Sequence, residues 1–428
     1  MLIRTSKLLM IILLLSGMIK FATVFIGINL NYFLTPFFFV MCLYFVFRNR
    51  IVVLNSTTLI FLCYYIVAMI VFFINNAIED NHYTALQYFL AVFMQFLLPI
   101  ALILIACSFT FIEKSSRVLN HVVQLLMILN VIVFACFLIA INLNYQRAID
   151  FYSLLILQGV IVNPFQTSEA GISIRFNGVF NSAFVLASFC CIAISYYYFR
   201  FSLSKFKFLI LFCILSAMVI LSYNRNGIIA YAVCSSFVLI YAYARNLYFK
   251  LTEVYFYTLL VMLIVFPCVI LIYGDALFES IGAASDHSAL TKVSTLFSRI
   301  DSWITVLDID SLKELLIGTG LVQGLGDNND NFYVDNGYLY LLNQGGVLLL
   351  VFYIVSWVMM FTSLLKGLKY CFNDQELKKE ISMCLLLILV SMTVAFLNNL
   401  FFESFFLVLV FMKCLTVNNK ISLYYEKK

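Results

Sequence analysis

The sequence predicts an all-α fold: a polytopic membrane helical bundle of about twelve transmembrane helices with a large outer loop. Three observations carry that reading. The 428 residues are 64% hydrophobic and only 11% charged. The chain breaks into about twelve apolar stretches of the length that crosses a bilayer. Its lysines and arginines gather in alternate connections between those stretches, the bias that sets the orientation of membrane helices.

In order, the spans fall near 8–28, 32–47, 51–74, 86–109, 118–141, 179–199, 208–222, 226–243, 253–273, 337–364, 381–397 and 400–416. The basic start is followed by an apolar stretch without a small-residue cleavage site, which reads as a retained first span. Most connections are short and pack neighbouring helices antiparallel, so residues 1–428 read as a single transmembrane domain. With Arg4 and Lys7 inside, 19 of the 26 basic residues fall on the cytoplasmic side, including the connection Glu113–Arg117 and the stretch from Lys413 to Lys428. Both termini are then cytoplasmic. Lys20 lies within the first span, and the cations left on the outer side are Arg147, Arg175, Arg225, Lys292, Arg299 and Lys313.

The formal charge of +5 therefore reflects topology and contact with anionic membrane lipids, and no nucleic-acid footprint remains. All twelve cysteines fall in spans or cytoplasmic connections, which supports neither a disulfide framework nor a thiolate zinc site. His82, His121 and His287 are isolated. Asp308-Ile-Asp310 has the spacing of a metal-bridging pair, but acids near the end of an amphipathic helix are commonly just solvated. No metal set and no cofactor is expected.

Two outer connections are long: 142–178 and 274–335. The first contains an apolar run, Phe151 to Val162, of re-entrant or interfacial character, and ends at Arg175-Phe-Asn-Gly178. In the second, Leu296, Ile300, Trp303, Ile304 and Leu307 recur at helical spacing and predict an amphipathic helix that carries Arg299. Ser311-Leu-Lys-Glu314 has the form of a capping box and predicts a short helix before the glycine stretches at Gly318-Thr-Gly320 and Gly324-Leu-Gly326.

Arg175, Arg225 and Arg299 are each expected at the outer mouth of the bundle. Converging guanidiniums would bind a phosphate or diphosphate bidentately and neutralise a departing group; singly, each is equally suited to reaching lipid phosphates or loop acids. Asp335 and Asn336 open span ten, where an acid serves either as a base for a sugar hydroxyl or as a helix cap. Glu403, one turn into the last span, is an ionisable group at membrane depth. No cytoplasmic stretch is long enough for a nucleotide-binding domain, so the donor is not expected to be a nucleotide.

These residues resemble a known family, the O-antigen polymerase and O-antigen ligase-like membrane glycosyltransferases, over about residues 175–365. Arg175-Phe-Asn-Gly178 resembles the family's Arg-x-x-Gly motif, and Ser222-Tyr-Asn-Arg225-Asn-Gly227 its Ser-x-x-Arg-x-Gly turn. Arg299-Ile-Asp-Ser-Trp303 with Ile317-Gly-Thr-Gly320, and Asp335-Asn336-Gly-Tyr-Leu339 with Gly345-Gly346, resemble the large loop and the segment that closes it. The resemblance implies a bacterial inner-membrane enzyme that polymerises polyprenyl-diphosphate-linked repeat units into O-antigen or capsule, with a flippase and a chain-length regulator as partners. Taken with the reading of the residues, Asp335, Arg299 and Glu403 are expected as catalytic groups, the three arginines as diphosphate ligands, and Asn336, Gly178, Gly227 and Trp303 as supports. Ligases of the family carry His before that Asn, where this chain has Asp335, which favours polymerase over ligase. A transporter or flippase for lipid-linked sugars is the alternative from another class.

Overall fold

The computed structural model describes residues 54–78, 88–89, 92–157, 165–168, 171–180, 182–200, 204–284, 311–319, 336–370, 374–397 and 406–426, with positions 40, 44 and 47. Helix α1 (Ser56–Ile78) is followed by a π-helical turn (Val92–Leu97) that leads into α2 (Leu98–Ala106), then by α3 (Phe109–Leu143) and α4 (Tyr145–Leu157). A hairpin of β1 (Phe165–Ser168) and β2 (Gly171–Ile174) comes next, antiparallel, with Phe165 opposite Ile174. Helices α5 (Ala183–Phe199), α6 (Lys205–Leu221), α7 (Arg225–Tyr243) and α8 (Arg245–Ala284) follow, and then the short α9 (Leu312–Ile317). The chain ends with α10 (Gly337–Tyr370), α11 (Gln375–Leu397) and, after a π-helical turn (Leu407–Phe411), α12 (Met412–Glu426).

Among the described residues, five helices are long and apolar enough to cross a membrane: Ser56–Asn76, Arg117–Leu143, Arg225–Tyr243, Gly337–Tyr370 and Gln375–Phe396. The expectation of about twelve spans is met only in part: the first two fall almost wholly outside the described residues, and Gln95–Ala106 and Ala183–Phe199 are apolar but shorter than the five. The hairpin is the departure from an all-helical chain.

Helix α11 is the axis of the bundle. From Ile381 onward it carries no charged residue, and a helix segment of that kind must be enclosed by protein or lipid. Protein encloses it here: 89% of its apolar window is buried, against 39% or less in the other four spans. It packs against α5, α7, α8, α10 and α12. Two tyrosines tie neighbours together through backbone carbonyls. Tyr196 of α5 donates to Leu409 O (2.7 Å) in the π-helical turn, and Tyr248 of α8 donates to Ser382 O (2.8 Å) of α11. Phe256 and Phe361 stack at 3.7 Å between α8 and α10.

Several boundaries differ from the expected ones. The connection Glu113–Arg117 is helical, since α3 starts at Phe109 directly after a break at Cys107–Ser108. The first long connection is partly structured, with α4 (Tyr145–Leu157) extending into the apolar run. Helix α8 runs past 273 to Ala284, and α12 runs past 416 to Glu426. Span ten is not one helix, because Gly345 (φ −139°) and Gly346 (φ +63°) interrupt it. Nine described cysteines are free.

At the far end of α5, Arg200 joins a charged cluster on α11 and α12. Glu380, 4% exposed, accepts from Lys413 (3.3 Å) and Lys420 (2.9 Å) and pairs ionically with Arg200 (3.4 Å), which donates to Glu376 (2.9 Å). Lys413, expected in a cytoplasmic connection, is fully buried. A charge at that depth requires the partner it has.

Candidate functional site

Two of the three sequence-predicted arginines, Arg175 and Arg225, come together near the start of α5. After β2 the chain runs through Arg175 and Phe176 into a tight turn. Phe176 is fully buried against Phe134 and Phe137 of α3, with ring centroids 5.0 Å from each. Its backbone N–H donates to Leu221 O (2.9 Å), at the end of α6. That bond ties the Arg175 segment to the α6–α7 turn.

The turn itself is held by Asn130 on α3. Its Nδ2 donates to Leu126 O (2.8 Å), which orients the amide so that Oδ1 accepts from Val179 N (3.1 Å). Gly178 has φ +61°, a left-handed conformation that favours glycine. The same Asn130 oxygen lies 2.1 Å from where a β-carbon on Gly178 would sit.

Across from it, α6 ends in Ser222, Tyr223 and Asn224. Ser222 Oγ donates to Val219 O (2.6 Å), Tyr223 takes φ +47°, and Asn224 caps α7 by accepting from Gly227 N (2.8 Å). Arg225 is thereby the first residue of α7, where the unpaired N–H groups and the helix dipole favour an anion. Gly227 lets α7 approach α5, for a β-carbon there would meet Ala187 Cβ at 2.3 Å.

Arg175 and Arg225 lie within electrostatic reach of each other. Burial lowers the Arg175 pKa, and the charge of Arg225 lowers it further. Neither arginine has an ion pair among the described residues, and the buried Nε of Arg175 has no hydrogen-bond partner. Two cations drawn together without a counter-charge are unfavourable until an anion joins them.

A second polar assembly lies between α1, α9 and α10. Ser311 caps α9 by accepting from Glu314 N (3.1 Å), as the capping box predicts. Gly318 and Gly346 interlock: β-carbons on them would meet the backbone of residues 343–345 and 316–317 respectively, at 2.4 Å. Thr319 N donates to Asn343 O (2.7 Å), and Asn75 of α1 donates to the carbonyls of Ile317 (3.0 Å) and Gly318 (3.2 Å). The Gly318-Thr-Gly320 stretch, expected in an open loop, thus starts with Gly318 and Thr319 docked into the break in α10. Asn336 is a cap: its Oδ1 accepts from Tyr338 N (2.9 Å) and Leu339 N (3.2 Å), and its Nδ2 donates to Phe396 O (3.2 Å).

Arg299, Trp303, Asp335 and Glu403 lie outside the described residues, as do Asp308 and Asp310. Among the described residues, no three His, Cys, Asp or Glu side chains gather as a metal site would require. Residues 208–354 match the O-antigen ligase family. This O-antigen ligase match begins at Phe208 in α6 and ends at Ile354 in α10. It takes in Arg225, Arg299, Trp303, Asp335, Asn336 and both interlocked glycines, and stops short of Arg175 and Glu403. Over that stretch the chain is similar to the O-antigen ligase family, in agreement with the motifs around Arg225, Arg299 and Asp335. No curated protein and no solved structure matches it.

Sequence reasoning missed three asparagines around the O-antigen ligase-like region. Asn75 and Asn130 lie in apolar helices; a lone Asn in a span was the available signal for Asn130, whereas Asn75 stands beside Asn76 just past the expected span 51–74. Asn177 is 1% exposed, and both of its amide atoms lack partners. It is the one described side chain with two orphaned polar atoms.

Proposed function

We propose that the chain is a membrane glycosyltransferase that polymerises polyprenyl-diphosphate-linked oligosaccharide repeat units at the outer face of the bacterial inner membrane. The observation that carries this reading is the pair Arg175 and Arg225, brought together at a helix start with no ion pair among the described residues and with an orphaned guanidinium nitrogen. A diphosphate is the anion such a pair suits, since each planar fork matches two phosphate oxygens.

In the reaction, a hydroxyl of the incoming repeat unit attacks the anomeric carbon of the donor's first sugar. The bond from that carbon to the diphosphate breaks, and the polyprenyl diphosphate leaves with the bonding electron pair. Arg175 and Arg225, with Arg299, stabilise the charge on the leaving group. The hydroxyl proton passes to a base, for which we nominate Asp335, with Glu403 as the next choice.

The family match gives equal support to a ligase, which moves finished polymer onto a lipid core. Both readings share the donor and differ in the acceptor. Cells lacking the native chain and carrying Arg175→Ala or Arg225→Ala therefore provide the test. A polymerase variant leaves acceptor lipid bearing one repeat and no ladder, whereas a ligase variant leaves long polymer on polyprenyl diphosphate and a bare acceptor. Lys at either position should rescue poorly, because it offers one point charge in place of a fork. Normal ladders from both Ala variants at normal abundance would remove the diphosphate role.

A further inference from the structure

We propose that Asn177 reads hydroxyls of the donor's first sugar, beside the diphosphate that Arg175 holds. The proposal rests on the diphosphate reading above and adds a specificity-determining residue to it.

The first ground is burial without partners. Asn177 is 1% exposed, and neither its Nδ2 nor its Oδ1 has a hydrogen-bond partner. Buried polar groups are nearly always paired, and an unpaired one is costly. The turn does not use this side chain: Phe180 N donates to the Asn177 backbone oxygen, and Val179 N is served by Asn130. An amide that the fold buries and leaves idle on both atoms is suited to a ligand.

The second ground is position. Asn177 lies two residues beyond Arg175, whose Nε is orphaned as well. Phe176 between them packs into the core on Phe134 and Phe137.

The third ground is chemical. A phosphate oxygen only accepts, so a phosphate would engage Nδ2 and leave Oδ1 idle. A carboxamide offers donors and an acceptor together, and a hydroxyl both donates and accepts. Vicinal sugar hydroxyls would satisfy both atoms at once. On a polyprenyl-diphosphate-linked saccharide, the hydroxyls nearest the diphosphate belong to the sugar whose anomeric bond is broken.

The full chain in lipid nanodiscs is titrated with two probes, polyprenyl diphosphate alone and the same lipid bearing one hexose. Wild-type protein should bind the hexose-bearing lipid about 10-fold more tightly. Asn177→Ala should bring that ratio close to one and leave affinity for the bare lipid within about 2-fold. If Asn177→Ala does not fold, wild-type protein with a lipid whose hexose lacks the 2-hydroxyl, and with one lacking the 3-hydroxyl, should show the loss for at least one of the two. No preference in wild type, a preference that survives Asn177→Ala, or indifference to both missing hydroxyls would each overturn the role, a buried water then filling the amide. Arg175→Ala separates the two readings: unchanged binding of the bare lipid sinks the diphosphate role, whereas lost binding with an unchanged Asn177→Ala ratio sinks only this one.

Discussion

The side-chain oxygen of Asn130 occupies the space that a β-carbon on Gly178 would need, 2.1 Å from its ideal position. One amide thus fixes both the turn's backbone, through Val179 N, and the identity of the residue before it. Gly178→Ala must move Asn130 and also hold φ near +61°, a conformation that costs an L-residue about 1–2 kcal/mol before any clash. Asn130→Ala instead leaves Val179 N–H without its partner, at about 1–3 kcal/mol if that N–H stays dry. Both variants should lower the thermal midpoint in detergent. Gly178→Ala should lose more polymer than Asn130→Ala at equal abundance, because it displaces Arg175 along with the turn. Equal activity per folded molecule in Gly178→Ala and wild type would separate the turn from the site.

The interlock of Gly318 with Gly346 makes a second prediction. A β-carbon on Gly346 would lie 2.4 Å from the carbonyl carbon of Leu316, and φ there is +63°. Gly346→Ala should undock residues 311–319 from α10. Backbone amides of that segment should then exchange with deuterium faster, while those of α11, the buried axis, stay protected. Unchanged exchange in residues 311–319 would show that the backbone accommodates the methyl without undocking.

These two glycines mark how far the sequence was legible. Apolar runs of spanning length announced α1, α5, α7 and α11, since a helix that packs in a bundle or faces lipid selects apolar residues. The capping box at Ser311 announced α9, because capping is local chemistry. What the sequence withheld was long-range. Nothing near Gly318 says that it meets Gly346, and nothing near Arg175 says that Phe176 bonds to Leu221. The break in α10 was hidden because a Gly-Gly pair inside an apolar run keeps the run's hydrophobicity. The run 113–117 was read as a loop because its charges outweighed its helical propensity, yet it lies within α3. Asn177 was passed over because it stands inside a motif whose named positions are its neighbours.

The charged cluster on α11 and α12 makes a prediction about stability alone. Glu380 is shared by Arg200, Lys413 and Lys420, and Lys413 is fully buried. Removing one partner of a buried pair costs roughly 3–5 kcal/mol, whereas replacing both with apolar groups of similar size is often neutral. Glu380→Gln should therefore sharply reduce abundance and thermal midpoint, and Glu380→Leu combined with Lys413→Met should recover much of the loss. Thermal unfolding of the purified variants decides it; a double variant no better than Glu380→Gln would show that Arg200 and Lys420 depend on the carboxylate more than Lys413 does.

Asp335 supplies the last prediction, and Asn336 sharpens it. An acid at a helix start is ordinarily a cap, and Asp335→Asn would leave capping ability intact because the two residues rank together in that role. The capping bonds of α10 come from Asn336, which accepts from Tyr338 N and Leu339 N and anchors to Phe396 O. With Asn336 as the cap of α10, Asp335→Asn should leave the folding stability within about 0.5 kcal/mol of wild type. A fall in turnover would then be chemical in origin. If Asp335 takes the acceptor's proton, turnover with purified lipid-linked repeats should fall by roughly 100-fold or more while donor binding persists. The pH profile should change with it, since removing the carboxylate removes the acid limb that its protonation imposes on wild type. An Asn variant with wild-type turnover would pass the base role to Glu403, to be tested in the same assay by Glu403→Gln.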